Sequence, residues 1–175
     1  MTDKLSPQEM LERAQRAYQT GDFLAAADAF AAAATLYVET GDALASAEMQ
    51  NNRSVALLRA KQADAALEAA RGTETVFAEA GDFRRQGMAL ANQGSALEAL
   101  KRFKEAVDYY ERAGEALQKA NEDSLRAQVM QLLSMLYLRR FKFYEAVIAL
   151  QSGLAGLKNP TPKQRFMKKI LFVRV

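Results

Sequence analysis

The stretch TGDF at Thr20–Phe23 recurs as TGD at Thr40–Asp42 and as AGDF at Ala80–Phe83. A glycine–aspartate pair can belong to a phosphate loop, to a metal loop or to the turn between two helices. The three pairs are separated by multiples of twenty residues, and such regular spacing is typical of a structural repeat. The spacing therefore suggests that the rest of the chain follows the same period.

A forty-residue period runs through the chain. Small residues recur in register, and they mark the places where two helices approach closely, while large residues beside them fill the neighbouring space. The aligned small positions are Ala26, Ala66, Ala106 and Ala146, and in the other half of each unit Ala14, Ser54, Gly94 and Ser134. The repeat is therefore structural and present in four copies.

Each unit contains two segments with apolar residues at helical spacing, joined by connections short enough to make neighbouring helices antiparallel. The first helices are predicted near 7–19, 43–60, 83–100 and 124–140, and the second helices near 23–40, 63–79, 103–120 and 143–157. The four repeats thus span 7–40, 43–79, 83–120 and 124–157 of a single domain covering 1–175.

Both ends of the chain carry helix start signals. Ser6 to Glu9 forms a capping box with Pro7 at the first helical position, and Leu5 can pack on Met10 as a hydrophobic staple. Thr161 and Pro162 repeat this pattern, so a ninth helix is predicted over 162–172. It would cap the solenoid through one apolar face formed by Phe166, Met167, Ile170 and Leu171.

Composition narrows the function classes. The 175 residues include no Cys, His or Trp, which excludes disulfides and His- or Cys-based metal and catalytic sites. A site built only from Asp and Glu carboxylates remains possible by composition, but no spacing in the sequence singles out a pair of them. Neither an enzyme nor a cofactor or metal is therefore expected. The chain starts without the apolar core of a signal peptide and has no run of roughly 20 apolar residues, so a cytoplasmic protein is expected.

At this point the residues resemble the tetratricopeptide repeat family, in its longer forty-residue variety. The family's small residue in the first helix and its A-x3-F in the second are matched best by Gly94, Ala106, Tyr110 and Ala113. The resemblance implies an all-α, right-handed α-solenoid of four antiparallel helix pairs with a C-terminal capping helix, acting as a non-catalytic scaffold or adaptor.

The glycine–aspartate pairs are accordingly interpreted as turns. Glycine takes the left-handed conformation that ends one helix, and aspartate accepts backbone N–H groups to open the next. Asn121 is expected to take the glycine role at the fourth boundary. A phosphate loop would need further glycines and a lysine, which no copy supplies.

In the family the first helices line a concave groove that holds an extended peptide or a partner helix. In this chain the corresponding positions hold amides, which can bond to a peptide main chain, beside Met, Leu and Tyr, which can form side-chain pockets. The alternative is that these residues are only a solvent-exposed helix face. Carried over by position, the groove set is Gln15, Tyr18, Asn51, Asn52, Val55, Leu58, Arg59, Met88, Asn92, Ser95, Glu98, Gln131, Met135, Leu138 and Arg139.

Charge is sorted by the same period. Basic residues fall at successive turns inside the repeats and define a predicted basic edge, which either keeps the surface solvated or orients a partner: Lys61, Lys101, Arg102, Lys104, Arg140 and Lys142. Residues 1–123 hold 14 Lys/Arg against 20 Asp/Glu, a balance of −6, whereas 124–175 hold 10 against 1, a balance of +9.

The basic tail leaves alternatives open. Its helix is short for stable interfacial binding, so capping is favoured, membrane contact is not expected, and its aromatic positions are too few to suggest nucleic acid. The expected partner is a protein or peptide. The alternative is a self-associating regulator or adaptor whose basic C-terminal surface contacts acidic partners or a membrane.

Overall fold

The computed structural model describes residues 6–171. Within that range the chain is helical and contains no strand. Its ten helices are α1 (Pro7–Gln19), α2 (Phe23–Glu39), α3 (Ala43–Arg59), α4 (Ala63–Ala70), α5 (Thr73–Glu79), α6 (Phe83–Ala99), α7 (Phe103–Lys119), α8 (Asp123–Arg139), α9 (Phe143–Ala155) and α10 (Pro162–Leu171). Apart from α4 and α5, which are two parts of one broken segment, each helix packs on the one that follows it. The predicted α-solenoid is confirmed, and most helix starts coincide with the predicted ones, while most C-terminal ends differ by a single residue.

The turns repeat one geometry every twenty residues. In each turn a single residue has a positive φ, between 57° and 84°, and the N–H of the next residue donates to the carbonyl five positions earlier at 2.9 to 3.0 Å. This pairing ends a helix in the Schellman arrangement. The seven positive-φ residues of these turns are Gly21, Gly41, Lys61, Gly81, Lys101, Asn121 and Phe141. The turn interpretation of the glycines and of Asn121 is therefore confirmed.

Aspartates open three of the helices. Asp22, Asp42 and Asp82 accept the backbone N–H three residues later, at 3.1, 2.9 and 2.8 Å. Glu122 makes no such side-chain bond at the start of α8, so the fourth boundary reproduces the glycine role but not the aspartate role. At the N-terminal end the Ser6–Glu9 capping box forms as predicted, while Leu5, the staple partner of Met10, lies outside the described residues.

One predicted helix is broken. The segment 63–79 forms two helices, α4 and α5, because Gly72 takes a φ of +80° and starts a new helix. The Thr73 hydroxyl donates to the Ala70 carbonyl at 2.7 Å, which supplies a partner for one carbonyl released at the break. Phe77, fully buried, then anchors α5 against the neighbouring repeats.

The core is built from the small residues that define the period. Ala26, Ala66, Ala106 and Ala146 are all buried, so the second helix of each repeat lies directly against its neighbours. At Gly94 an added Cβ would lie 3.0 Å from the Tyr110 ring, which shows how close α6 and α7 approach. The close packing of paired helices is what positions the side chains on the first helices.

The C-terminal helix α10 caps the solenoid only in part. Met167 and Leu171 pack with Leu154 and other residues of the last repeat, but Phe166 is 65% exposed and Ile170 59% exposed. The prediction that all four apolar residues form one packing face is therefore wrong. The helix touches α9 along one edge, and nothing in residues 6–171 covers the other edge. The predicted end at 172 lies outside the described residues.

Candidate partner-binding groove

The predicted groove is formed by the first helices of the repeats: α1, α3, α6 and α8. Polar contacts across repeats tie these helices together. Asn92 Nδ2 donates to Asn51 Oδ1 at 2.9 Å, and Arg85 Nη1 lies 3.0 Å from Glu48 Oε2, so α6 is joined to α3 at two places. Because hydrogen-bonded side chains lose rotamer freedom before any ligand arrives, this part of the surface is preorganised.

The Asn51–Asn92 bond corrects one expectation. Asn51 is buried, so it supports Asn92 from below rather than presenting a free amide to the groove. Asn52, one residue later, is half-buried and makes no side-chain hydrogen bond with the described residues. The free amide of this pair of repeats is therefore that of Asn52; Asn92, which stands forty residues later, is bonded to Asn51 instead.

A second network joins α8, α6 and α7. Arg139 pairs with Glu98, and the Tyr110 hydroxyl donates to Glu98 Oε2 at 3.0 Å while lying 3.1 Å from Ser95 Oγ. Burial raises the pKa of Tyr110 well above its usual range, so the hydroxyl keeps its proton and acts as a donor. The network holds the Glu98 carboxylate at the groove surface. The Arg139 side chain is 61% exposed, whereas that of Glu98 is 16% exposed.

The remaining predicted groove residues differ in accessibility. The exposed ones are Gln15, Arg59, Gln131, Met135, Leu138 and Arg139, and the half-buried ones are Tyr18, Asn52, Val55, Leu58, Met88, Asn92, Ser95 and Glu98. Polar residues dominate the α1 end, whereas α8 exposes Leu132, Met135 and Leu138. The groove surface thus changes from polar to apolar along the solenoid.

The predicted basic edge is exposed but partly neutralised. Arg102 pairs with Glu105 at 2.6 Å, Lys142 with Glu145 at 3.4 Å, and the Arg140 guanidinium lies 4.6 Å from the Phe103 ring centre. Lys61, Lys101 and Lys104 have neither an ion pair nor an aromatic contact among the described residues.

Sequence reasoning missed a cavity on the opposite surface, between α7 and α9 with α8 beneath. This outer cavity has a volume of about 370 Å³. Met130, Leu133 and Ile148 are among the apolar residues that line it, and Glu111 and Glu115 stand on its α7 side.

The forty-residue alignment contains the signal that could have found this cavity. Its Ala149 and Gly114 align with Tyr109 and Glu74 one repeat earlier. There Glu74 accepts a hydrogen bond from Gln93 at 2.8 Å, and the corresponding space is about 210 Å³. Smaller residues at two aligned positions therefore open the larger cavity in the last repeat.

The residues that the structure describes contain neither a candidate metal site nor a candidate membrane-spanning helix. Among residues 6–171 no group of three or more acidic residues is placed to hold a metal ion. None of the helices described is long and apolar enough to cross a bilayer.

Comparison with known proteins identifies the family to which this chain belongs. The model of the soluble NSF attachment protein (SNAP) family matches residues 6–162. The chain belongs to the SNAP family. Among curated proteins no match is found. The SNAP match agrees with the tetratricopeptide-like helical repeats inferred from the period, because the family is built from such repeats.

Solved structures agree with this family at the level of the fold. A putative kinesin light chain with nearly identical TPR-like repeats from Podosopora anserina superposes with a TM-score of 0.74 at 18% identity, covering 96% of this chain and 86% of that one. A variant of that protein gives 0.73, also at 18% identity, over 94% and 82%. BtubC (BKLC) from P. vanneervenii gives 0.59 at 18% identity, over 92% and 77%.

Proposed function

We propose that this SNAP-family chain is a non-catalytic, cytoplasmic scaffold that binds an extended peptide or a partner helix in the groove formed by α1, α3, α6 and α8. The observation that carries the proposal is the set of hydrogen bonds and ion pairs between first helices, represented by Asn92 to Asn51. Side chains held in this way lose little further freedom on binding, which favours recognition. The family is named for attachment to another protein, which agrees with a protein partner.

The composition of the groove suggests how a ligand would be oriented. Its polar α1 end and the free amide of Asn52 suit main-chain hydrogen bonding, and the apolar α8 end, with Met135 and Leu138, suits pockets for aliphatic side chains. Glu98, facing the exposed Arg139, lies between these two parts. A ligand with a polar segment followed by an apolar one matches this order.

The proposal is tested by placing a photo-reactive amino acid at Val55 in the groove and, as a matched control, at Leu24, which is 52% exposed on α2. The expected result in lysate of the source cell is a crosslinked peptide at Val55 and none of the same identity at Leu24. Asn52→Ala should weaken capture of that peptide by about tenfold, as expected for losing one well-placed hydrogen bond. Equal crosslinking at both positions would contradict the groove.

A second candidate rests on the exposed Phe166 and Ile170 of α10. They lie among basic residues, so a basic C-terminal surface that contacts acidic partners or a membrane is the competing function. Vesicles of anionic lipid test it: co-sedimentation that is lost in modest salt would support lipid contact, and its absence at low salt would remove that function.

A further inference from the structure

Two features of the last repeat have no role in the groove. One is the outer cavity between α7 and α9. The other is the exposed stripe of α10, which consists of Lys163, Phe166, Lys169 and Ile170. Both are unusual for the end of a solenoid, where a polar outer face is expected.

The outer cavity combines an apolar floor with a mainly acidic rim; the one cation among the described residues that line it, Arg126, is bonded to Ser152. Met130, Leu133 and Ile148 provide apolar lining, and Ile148 is 46% exposed. Glu111 and Glu115, four residues apart on α7, stand one helical turn from each other on the rim. Glu115 makes no hydrogen bond or ion pair with the described residues. An occupant that fits must therefore be apolar at its centre and positively charged beside it.

The exposed stripe of α10 has that composition. Phe166 and Ile170 are also four residues apart, so their side chains lie one turn from each other on one face. Lys163 and Lys169 lie beside them and make no ion pair with described residues. The other edge of the helix, formed by Met167 and Leu171, is already packed on the last repeat. The stripe is thus free while the helix itself stays anchored.

The α10 helix lies on the wrong side of α9 to fill the cavity of its own chain. Leu150 and Leu154 belong to the apolar cluster that Met167 and Leu171 of α10 join, and they are rotated by about 160° around the α9 axis from the cavity residues Ile148 and Ser152, at about 100° per residue. Gln151 Nε2 donates to the Leu171 carbonyl at 2.6 Å and holds α10 in this position. The occupant that matches the cavity must come from another molecule.

We propose that the α10 stripe of one copy of this chain docks into the outer cavity of a second copy. Phe166 and Ile170 enter between α7 and α9 of the other copy, and Lys163 and Lys169 pair with its Glu111 and Glu115. Each copy carries both the helix and the cavity, so in a dimer with a two-fold axis the contact forms twice. The groove of α1, α3, α6 and α8 takes no part, so this proposal is independent of the peptide ligand.

Charge exchange tests the docking. The variant Glu111→Lys/Glu115→Lys alters the cavity, and the variant Lys163→Glu/Lys169→Glu alters the helix. Sedimentation equilibrium should show a dimer of the natural chain, and each variant alone should have a dissociation constant raised by about tenfold or more, because like charges then face each other. An equimolar mixture of the two variants should regain the dimer, since opposite charges meet at both contacts.

Cysteine crosslinking gives the position. The chain has no cysteine, so single introduced residues are the only thiols. Under oxidising conditions a mixture of Ile148→Cys and Phe166→Cys chains should give a mixed disulfide in excess of either homodimer. Val38→Cys, at a position 65% exposed on α2, is the control and should not crosslink to the Phe166→Cys chain.

Three results would overturn the proposal. The first is a natural chain that remains monomeric at about 1 mM in low salt, where even a weak dimer is half populated. The second is a dimer that both charge variants leave unchanged. The third is a dimer broken by Phe143→Glu but by neither charge variant, which would place the second copy on the uncovered start of α9.

Discussion

Two glycines that face the same methionine are expected to respond differently to a single added methyl group: one variant loses stability and the other changes little. In α9 a Cβ at Gly153 would lie 2.7 Å from Met130 Cβ and 3.2 Å from Ala127 Cα. In α7 a Cβ at Gly114 would lie 2.5 Å from Met130 Cε. The first neighbour is fixed to the backbone, and the second is the free end of a flexible side chain.

The magnitudes follow from this difference. Gly153→Ala forces α9 away from α8 at a cost of about 2–3 kcal/mol for overpacking, against about 1 kcal/mol gained in helix propensity, a net loss of about 1–2 kcal/mol. Gly114→Ala needs only a rotation of Met130, costing about 1 kcal/mol, which the same propensity gain offsets. For a chain of this size Gly153→Ala should lower Tm by about 2–8 °C, and Gly114→Ala should change it little.

Urea unfolding followed by circular dichroism at 222 nm measures both variants, with equal m-values as the check that the same surface is exposed. Met130→Ala provides a further check, because alanine keeps the Cβ that Gly153→Ala strikes and therefore cannot relieve the loss. Gly114→Ala as destabilising as Gly153→Ala, or rescue of Gly153→Ala by Met130→Ala, would refute the reasoning.

Three other perturbations have defined outcomes. Phe141 has a φ of 58°, a conformation that a β-branched residue tolerates poorly. The free energy of unfolding of Phe141→Gly should therefore exceed that of Phe141→Val by about 2 kcal/mol, and its melting temperature should be higher. Equal melting temperatures would contradict backbone strain at this position. The backbone N–H of Arg85 holds the pKa of Asp82 below its usual range, so its contribution is complete above about pH 4 and is lost as pH falls through the lower, folded-state pKa. Asp82→Asn should flatten that acid limb of the stability curve, measured by urea titration at several pH values, and an unchanged limb would assign it to other groups. Tyr110→Phe removes the hydrogen bond to Glu98 and should cost about 1–2 kcal/mol in urea unfolding, while a neutral result would show that Arg139 alone holds the carboxylate.

The period of the repeat predicted the fold because turn chemistry and helix packing act on neighbouring residues. The Schellman turn at Gly21 requires a residue in the left-handed conformation, and a glycine at that position makes the turn predictable from the sequence. Lys61 and Phe141 adopt the same conformation, but their residue types do not predict it, since the flanking helices impose the turn on an unfavourable residue. The break at Gly72 was missed for the opposite reason, because a lone glycine within a helical pattern is as often tolerated as used to end a helix.

The candidate sites were less predictable because they depend on which partner a side chain finds. Position alone placed Asn51, Asn52 and Asn92 in one groove set, but only the structure shows that Asn51 is buried and accepts a hydrogen bond from Asn92. The outer cavity arises from what is absent at Ala149 and Gly114 relative to the preceding repeat, and a missing side chain produces no pattern of its own. Helical periodicity identifies an apolar face, as in α10, but does not show how much of that face a neighbour covers.

The two ends of the solenoid differ in a way that bears on assembly. The outer side of α1 presents polar residues, among them Glu12, Arg16 and Gln19, all exposed, and thus has the polar face that ends a repeat array. The C-terminal end instead exposes Phe166 and Ile170 on α10 and has the outer cavity beside α9. Head-to-tail growth would place this apolar end against the polar α1 surface and leave both poorly paired. Association through the last repeat of each copy matches apolar with apolar and acidic with basic, uses both surfaces of both copies, and therefore stops at two.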